Sequence, residues 1–189
     1  VKYIEFDASC DEIDLSLIPE TIDGFVYLPG SINLRPFKGL KLDAFQSDFE
    51  INVLGAVRSL KSVLGHLSAS GDAAVVFYST VAVQTGMPFH SSVASSKGAI
   101  EGLTRSLAAE FAPKIRVNAI APSLVNTPLA SKFLNNETKM EKANERHPLG
   151  RVGSAIEIAE ATAFLLGKES SWMTGRILQL DGGIGNLKT

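Results

Sequence analysis

The chain has 189 residues, is 45% hydrophobic and carries a formal net charge of −2, a balance that gives no electrostatic case for nucleic acid or an anionic membrane as partner. Its one cysteine, Cys10, excludes an intramolecular disulfide and fits a reducing, cytoplasmic setting. No apolar run approaches the ~20 residues that span a bilayer, and the first residues show no secretory pattern.

Residues 1–6 alternate and include Val1, Tyr3, Ile4 and Phe6, which predicts a strand ending at Asp7. Residues 9–20 are polar, with Pro19, and read as a loop or a short helix. A second strand is expected over 23–29, closed by Pro29-Gly30. Phe45, Phe49, Val53, Val57, Leu60 and Leu64 recur at helical spacing, so 42–68 reads as one long amphipathic helix. The nearly unbroken apolar run 73–80 has the pattern of a strand covered on both faces. A second long helix is expected over 91–111, with Leu103, Leu107 and Phe111 on its buried face and Pro113 stopping it. Residues 115–121 read as a strand ended by Pro122.

A polar excursion follows over 123–153, with few core signals. Ser154 and Glu157 have the spacing of a capping box at the start of a helix over 155–166. The last strand is expected over 176–180, before Asp181-Gly182-Gly183. Strands alternating with helices imply parallel pairing through right-handed crossovers, hence an α/β fold and one domain over 1–189. Gly182-Gly183-Ile184-Gly185 follows a strand but opens no helix, so it is not a phosphate loop.

Lys97 lies one helical turn after Val93, so the two share a face. This stretch resembles the active-site helix of the short-chain dehydrogenase/reductase family, which carries Tyr-x-x-x-Lys here and a Ser thirteen residues before the Tyr. In this chain Lys97 is present, Thr80 stands at the Ser position and Val93 at the Tyr position. Ile115-Arg116-Val117-Asn118-Ala119-Ile120-Ala121-Pro122 resembles the family's strand before the nicotinamide contact, although Ser123 replaces the usual Gly. Thr127, Pro148-Leu149-Gly150-Arg151-Val152-Gly153, Glu157-Ile158-Ala159, Phe164-Leu165-Leu166 and Thr174-Gly175 also follow the family pattern. Of Tyr27-Leu28-Pro29-Gly30, only Gly30 matches the family's Asn-Asn-Ala-Gly.

The resemblance implies a doubly wound, Rossmann-like parallel sheet in three α/β/α layers, NAD or NADP as cofactor, and a small carbonyl or alcohol compound as substrate. It implies Lys97, Thr80 and Asn52 as catalytic residues, Asn52 through a water in the proton relay. It implies Asp7, Gly30, Lys97, Pro122 and Thr127 as cofactor contacts, with Asp7 on the adenine amino group. It also implies a homodimer or homotetramer built on the two long helices. The family opens with a glycine-rich loop, Thr-Gly-x-x-x-Gly-x-Gly, that is not in this sequence, and its strand order is 3-2-1-4-5-6-7. If 1–6 is strand three and 23–29 strand four, the intervening strands are lacking, and roughly 40 further N-terminal residues are expected. The alternative is that 1–6 takes the vacant place beside strand four.

Val93 has no titratable group, and loss of a general acid or base typically lowers a rate on the order of 10²–10⁴-fold. Two residues could stand in: His90, three positions before Val93, and Tyr78, on the same strand face as Thr80. The plainer readings are an exposed histidine at the helix start and a core aromatic. Likewise Lys97 reads as a solvated helix lysine, Thr80 as a strand residue and Asn52 as a helix Asn bonded to local backbone. His66 and His147 lie in polar sequence without metal-ligand spacing, so no metal site is expected. The readings that remain are an NAD(P)-dependent oxidoreductase with an altered proton path, and a catalytically silent relative that binds a nucleotide or a partner subunit.

Overall fold

The computed structural model describes residues 2–8 and 13–188. Its main sheet has four parallel strands, β1 (Gly24–Val26), β2 (Ala73–Tyr78), β3 (Ile115–Pro122) and β6 (Ile177–Leu180), in the spatial order β1-β2-β3-β6. In β2, Val75 lies opposite Phe25 on one side and Val117 on the other. A strand paired on both edges and covered on both faces has no place for polar side chains, which is why β2 reads Ala-Ala-Val-Val-Phe.

The period of two along β2 divides the core. Val75 and Phe77 face one layer, where they meet Leu60, Val63 and Leu67, together with Ile100. Val76 faces the other layer, where it meets Ile120 and Leu165. Each large apolar side chain fully buried in this way contributes about 1.5–3 kcal/mol. The first layer consists of the helices predicted over 42–68 and 91–111; the second is α7 (Ala155–Leu166). The expected three-layer, doubly wound α/β arrangement is therefore present.

The first long helix runs in three parts: α1 (Leu42–Phe49), a π-helical stretch (Glu50–Leu54) and α2 (Gly55–Ser70). In the middle, the Gly55 N–H reaches back to the Glu50 carbonyl, one residue beyond the α-helical partner. Within that stretch the Ile51 carbonyl accepts the Tyr27 hydroxyl at 2.6 Å. After β2 comes a short helix, α3 (Ala82–Thr85), and then α4 (Ser91–Phe111), which has the predicted bounds. The capping box at α7 forms as the spacing implied: Ser154 Oγ accepts the Glu157 N–H at 3.4 Å, and the Glu157 carboxylate accepts the Ser154 N–H at 2.8 Å.

The excursion is more ordered than its polar sequence suggests. β4 (Val125–Asn126) pairs in parallel with β5 (Gly153–Ser154), and between them lie α5 (Ser131–Leu134) and α6 (Glu137–Glu145). Ala130, Leu134, Ala143 and Val152 form a small core of their own.

One expectation is overturned. Residues 2–7 form no strand, either beyond a gap or beside β1; Val1 lies outside the described residues. Their alternation has no neighbouring strand to satisfy its N–H and C=O groups, and residues 2–5 stay exposed while Phe6 alone joins the main core. The loop-or-helix reading of 9–20 holds where it is described: Leu15–Leu17 is a 3-10 turn capped by Asp14, and 9–12 lie outside the described residues. No helix among the described residues is long and apolar enough to cross a membrane.

Candidate functional site

The C-terminal ends of β1, β2 and β3 open into a cavity of about 1070 Å³. That end of a parallel sheet is where crossing connections leave a crevice. Thr80, Pro122, Thr127, Val93, Lys97 and Gly30 all line it. These residues come from four stretches of the sequence, and the resemblance singles out each of them.

Helix α4 sets Val93 and Lys97 on one face, as their spacing requires. Both are buried, at 5% and 8% exposure. A β-carbon on Gly30 would stand 3.4 Å from Lys97 Nζ and 3.2 Å from Asn52 Oδ1, so the backbone at Gly30 lies directly against both side chains. Burial draws the Lys97 ammonium down to about 8 from its ordinary 10.5, and the negative charge of Asp48 opposes that shift in part. The plainer reading of Lys97, a solvated helix lysine, therefore does not hold.

Behind the cavity wall lies a polar network with Asp48 at its centre. Asp48 is fully buried, at 0% exposure. Its carboxylate accepts Ser31 Oγ at 2.5 Å, Asn33 Nδ2 at 2.7 Å and Ser92 Oγ at 2.5 Å. One helical turn on, Asn52 accepts the Ser31 N–H at 3.2 Å and donates to Ser96 Oγ at 2.9 Å. Asn52 is thus committed to residues far away in sequence, not to its own helix backbone. Through Asp48 and Asn52 these bonds tie the segment after Gly30 to the first long helix and that helix to α4, and a buried carboxylate is tolerated only with such a set of donors. Asp48 was not legible as a site residue, although an acid on the apolar face of an amphipathic helix was the available signal.

Thr80 follows β2, and the neighbouring Val81 N–H donates to the Pro122 carbonyl at 3.1 Å, which holds the two strand ends side by side. Thr80 Oγ1 accepts the Ala82 N–H at 3.3 Å. Asp7 is exposed and does not line the cavity; the Tyr27 hydroxyl is pushed up to about 12, chiefly by burial, with the Asp7 charge adding to the shift. Of the two stand-ins for the missing tyrosine, Tyr78 is engaged with Thr162 Oγ1 at 2.5 Å. Thr162 gives its own proton to the Ile158 carbonyl at 2.7 Å, so Tyr78 is the donor of that pair. His90 lines the cavity mouth, its Nδ1 donating to the Pro88 carbonyl at 2.8 Å.

His147 departs from the sequence reading. It is buried, at 5% exposure, lines the same cavity, and its Nε2 lies 2.9 Å from Ser123 Oγ. The turn after α6 folds it under Ala143, a placement that polar sequence neighbours do not reveal. The charges around the cavity are one-sided: Lys97, Lys132, Lys139, Lys142 and Arg146 line it, and no carboxylate does among the described residues. Helical spacing explains the segregation, since Lys139, Lys142 and Arg146 recur every three or four residues while Glu137, Glu141 and Glu145 fall on another face.

A protein-family model described as "Enoyl-(Acyl carrier protein) reductase" matches residues 6–185. The chain is 31% identical over 191 residues to the 2,5-dichloro-2,5-cyclohexadiene-1,4-diol dehydrogenase of Sphingobium indicum, covering 96% of this chain and 76% of that protein. Among solved structures it resembles a short-chain dehydrogenase/reductase (glucose/ribitol dehydrogenase) from Brucella melitensis, with a TM-score of 0.81 and 32% identity over 87% of this chain and 65% of that one. It also resembles ElxO with NADP bound, with a TM-score of 0.79 and 28% identity over 86% of this chain and 66% of that one.

Proposed function

The chain belongs to the short-chain dehydrogenase/reductase family, and from that premise we propose that it is an NAD(P)-dependent oxidoreductase acting on a small carbonyl or alcohol compound. One observation carries this reading: a buried lysine amine, Lys97, stands against the side-chain-free Gly30 and opens onto the cavity at the strand ends. Gly30 would leave room for a ribose to approach the backbone, Lys97 would offer its amine to the ribose hydroxyls, and Pro122 and Thr127 would help hold the nicotinamide end. The NADP in the ElxO structure supports a nicotinamide dinucleotide as the cofactor. When bound, that cofactor supplies the hydride.

The remaining work belongs to the chain. Thr80 offers a hydroxyl to the substrate oxygen. Val93 has no proton to give, so the proton passes through Lys97 or water; an amine that burial brings to about 8 exchanges protons close to neutral pH. Val93 also supports a second reading, a relative that binds the dinucleotide or a partner subunit without turnover.

Titration with NADH and NADPH, followed by nicotinamide fluorescence, and then assay of a carbonyl panel test both readings. Saturable binding that Lys97→Met abolishes, with turnover, is expected. Binding without turnover selects the silent reading, and no binding of either nucleotide rejects the oxidoreductase. Family membership also supports a cytoplasmic homodimer or homotetramer built on α1, α2 and α4. A sedimentation mass of one chain at micromolar concentration would reject the oligomer.

A further inference from the structure

Ser123 and His147 form a hydrogen-bonded pair that the oxidoreductase reading leaves unused. Ser123 directly follows β3, and its N–H donates to the Leu180 carbonyl at 3.2 Å. His147 is held just as firmly: its N–H donates to the Asn144 carbonyl at 3.0 Å, and its own carbonyl accepts the Gly150 N–H at 2.7 Å. Gly182, with φ of 61°, lies against the ring, where a β-carbon would stand 3.3 Å from Cδ2.

The tautomer follows from the partners. Nδ1 of His147 lies 2.7 Å from the Ala143 carbonyl oxygen, which can only accept, so Nδ1 carries the proton. Nε2 is then the lone-pair nitrogen, and Ser123 Oγ, 2.9 Å away, is the donor to it. Both residues line the cavity. A hydroxyl, a base within hydrogen-bond reach and a third group fixing the base make up an activated nucleophile; here the third group is a backbone carbonyl.

We propose that Ser123 is a nucleophile activated by His147, and that the site acylates on esters or thioesters carrying a negative charge. Ser123 Oγ bonds to the carbonyl carbon as its proton passes to His147 Nε2. The C–O or C–S bond to the leaving group breaks, and the leaving group takes that proton. Water repeats the sequence, releasing the carboxylic acid and restoring Ser123. Thr80, on the adjacent strand end, accepts the Ala82 N–H and keeps its own proton for the substrate's carbonyl oxygen. Lys142 and Arg146, close to His147 in the chain, and the absence of carboxylates among the described lining residues select the negative charge. None of this rests on the oxidoreductase reading.

The test is reaction of the protein with diisopropyl fluorophosphate, followed by peptide mapping. A P–O bond to Ser123 forms, the P–F bond breaks, fluoride leaves and His147 takes the proton. The expected result is one adduct, on Ser123, absent in Ser123→Ala and formed about 100-fold more slowly in His147→Gln. A 4-nitrophenyl half-ester of glutaric acid should then acylate Ser123 about tenfold faster than 4-nitrophenyl acetate. Unmodified Ser123 in wild-type protein that still unfolds cooperatively overturns the nucleophile. An undiminished rate in His147→Gln overturns the base. Equal rates for the two esters overturn the selection for charge.

Discussion

The amine of Lys97 stands 3.4 Å from the point a β-carbon on Gly30 would occupy. This closeness joins a loop to a helix more than sixty residues later, and it gives the first prediction. Gly30→Ala should fold, because the flexible end of Lys97 can yield by a few tenths of an ångström. Its amine and the Asn52 amide are then displaced, and NAD(P)H binding should weaken about tenfold. Unchanged affinity in the fluorescence titration would separate Gly30 from the nucleotide site.

Lys97 itself links stability to pH. Its folded pKa, about 8, lies below the ordinary 10.5, so between those values the unfolded chain holds more protons and stability rises with pH. Below pH 8 the full penalty of a buried ammonium remains, about 3 kcal/mol. Lys97→Met should therefore raise the denaturation midpoint at pH 7, and the advantage should shrink as pH climbs toward 10. A midpoint difference independent of pH would show that Lys97 is not held in a desolvating site.

Val93 faces the cavity one turn before Lys97, and so offers a gain-of-function test. Val93→Tyr places a phenol beside an amine of lowered pKa, the pairing needed for proton transfer. NAD(P)H consumption with a panel of ketones and aldehydes should rise on the order of 10²-fold or more over wild type. A wild-type rate that is already high, with no gain in the variant, would mean that another group transfers the proton.

Gly55, at the end of the π-helical stretch, separates two kinds of glycine. A β-carbon there would run into the Tyr27 hydroxyl and come within 2.9 Å of the Ala8 carbonyl, whereas at Gly65 it would meet nothing within 4 Å. Gly55→Ala should lower stability by about 1–3 kcal/mol through overpacking. Gly65→Ala should raise it by roughly 0.5–1 kcal/mol, since alanine orders a helix more readily than glycine. Urea denaturation of both variants checks the contrast.

Local rules settled much of this molecule. The spacing of Leu103, Leu107 and Phe111 gave α4, the apolar run gave β2, Ser154 and Glu157 gave the cap of α7, and helical geometry put Val93 on the face of Lys97. Each depends on residues within a few turns of one another, where backbone periodicity fixes direction. The alternation of residues 2–6 carried the same kind of signal and failed, because a strand also needs a partner edge and periodicity does not supply one. Asp48 meets Ser92 from 44 positions away, and Ser123 meets His147 across 24. No spacing rule reaches that far. Those pairs exist because a parallel sheet aligns its strand ends and a folded excursion returns over them; burial there then decides which polar groups must bond and how far the pKa of Lys97 falls.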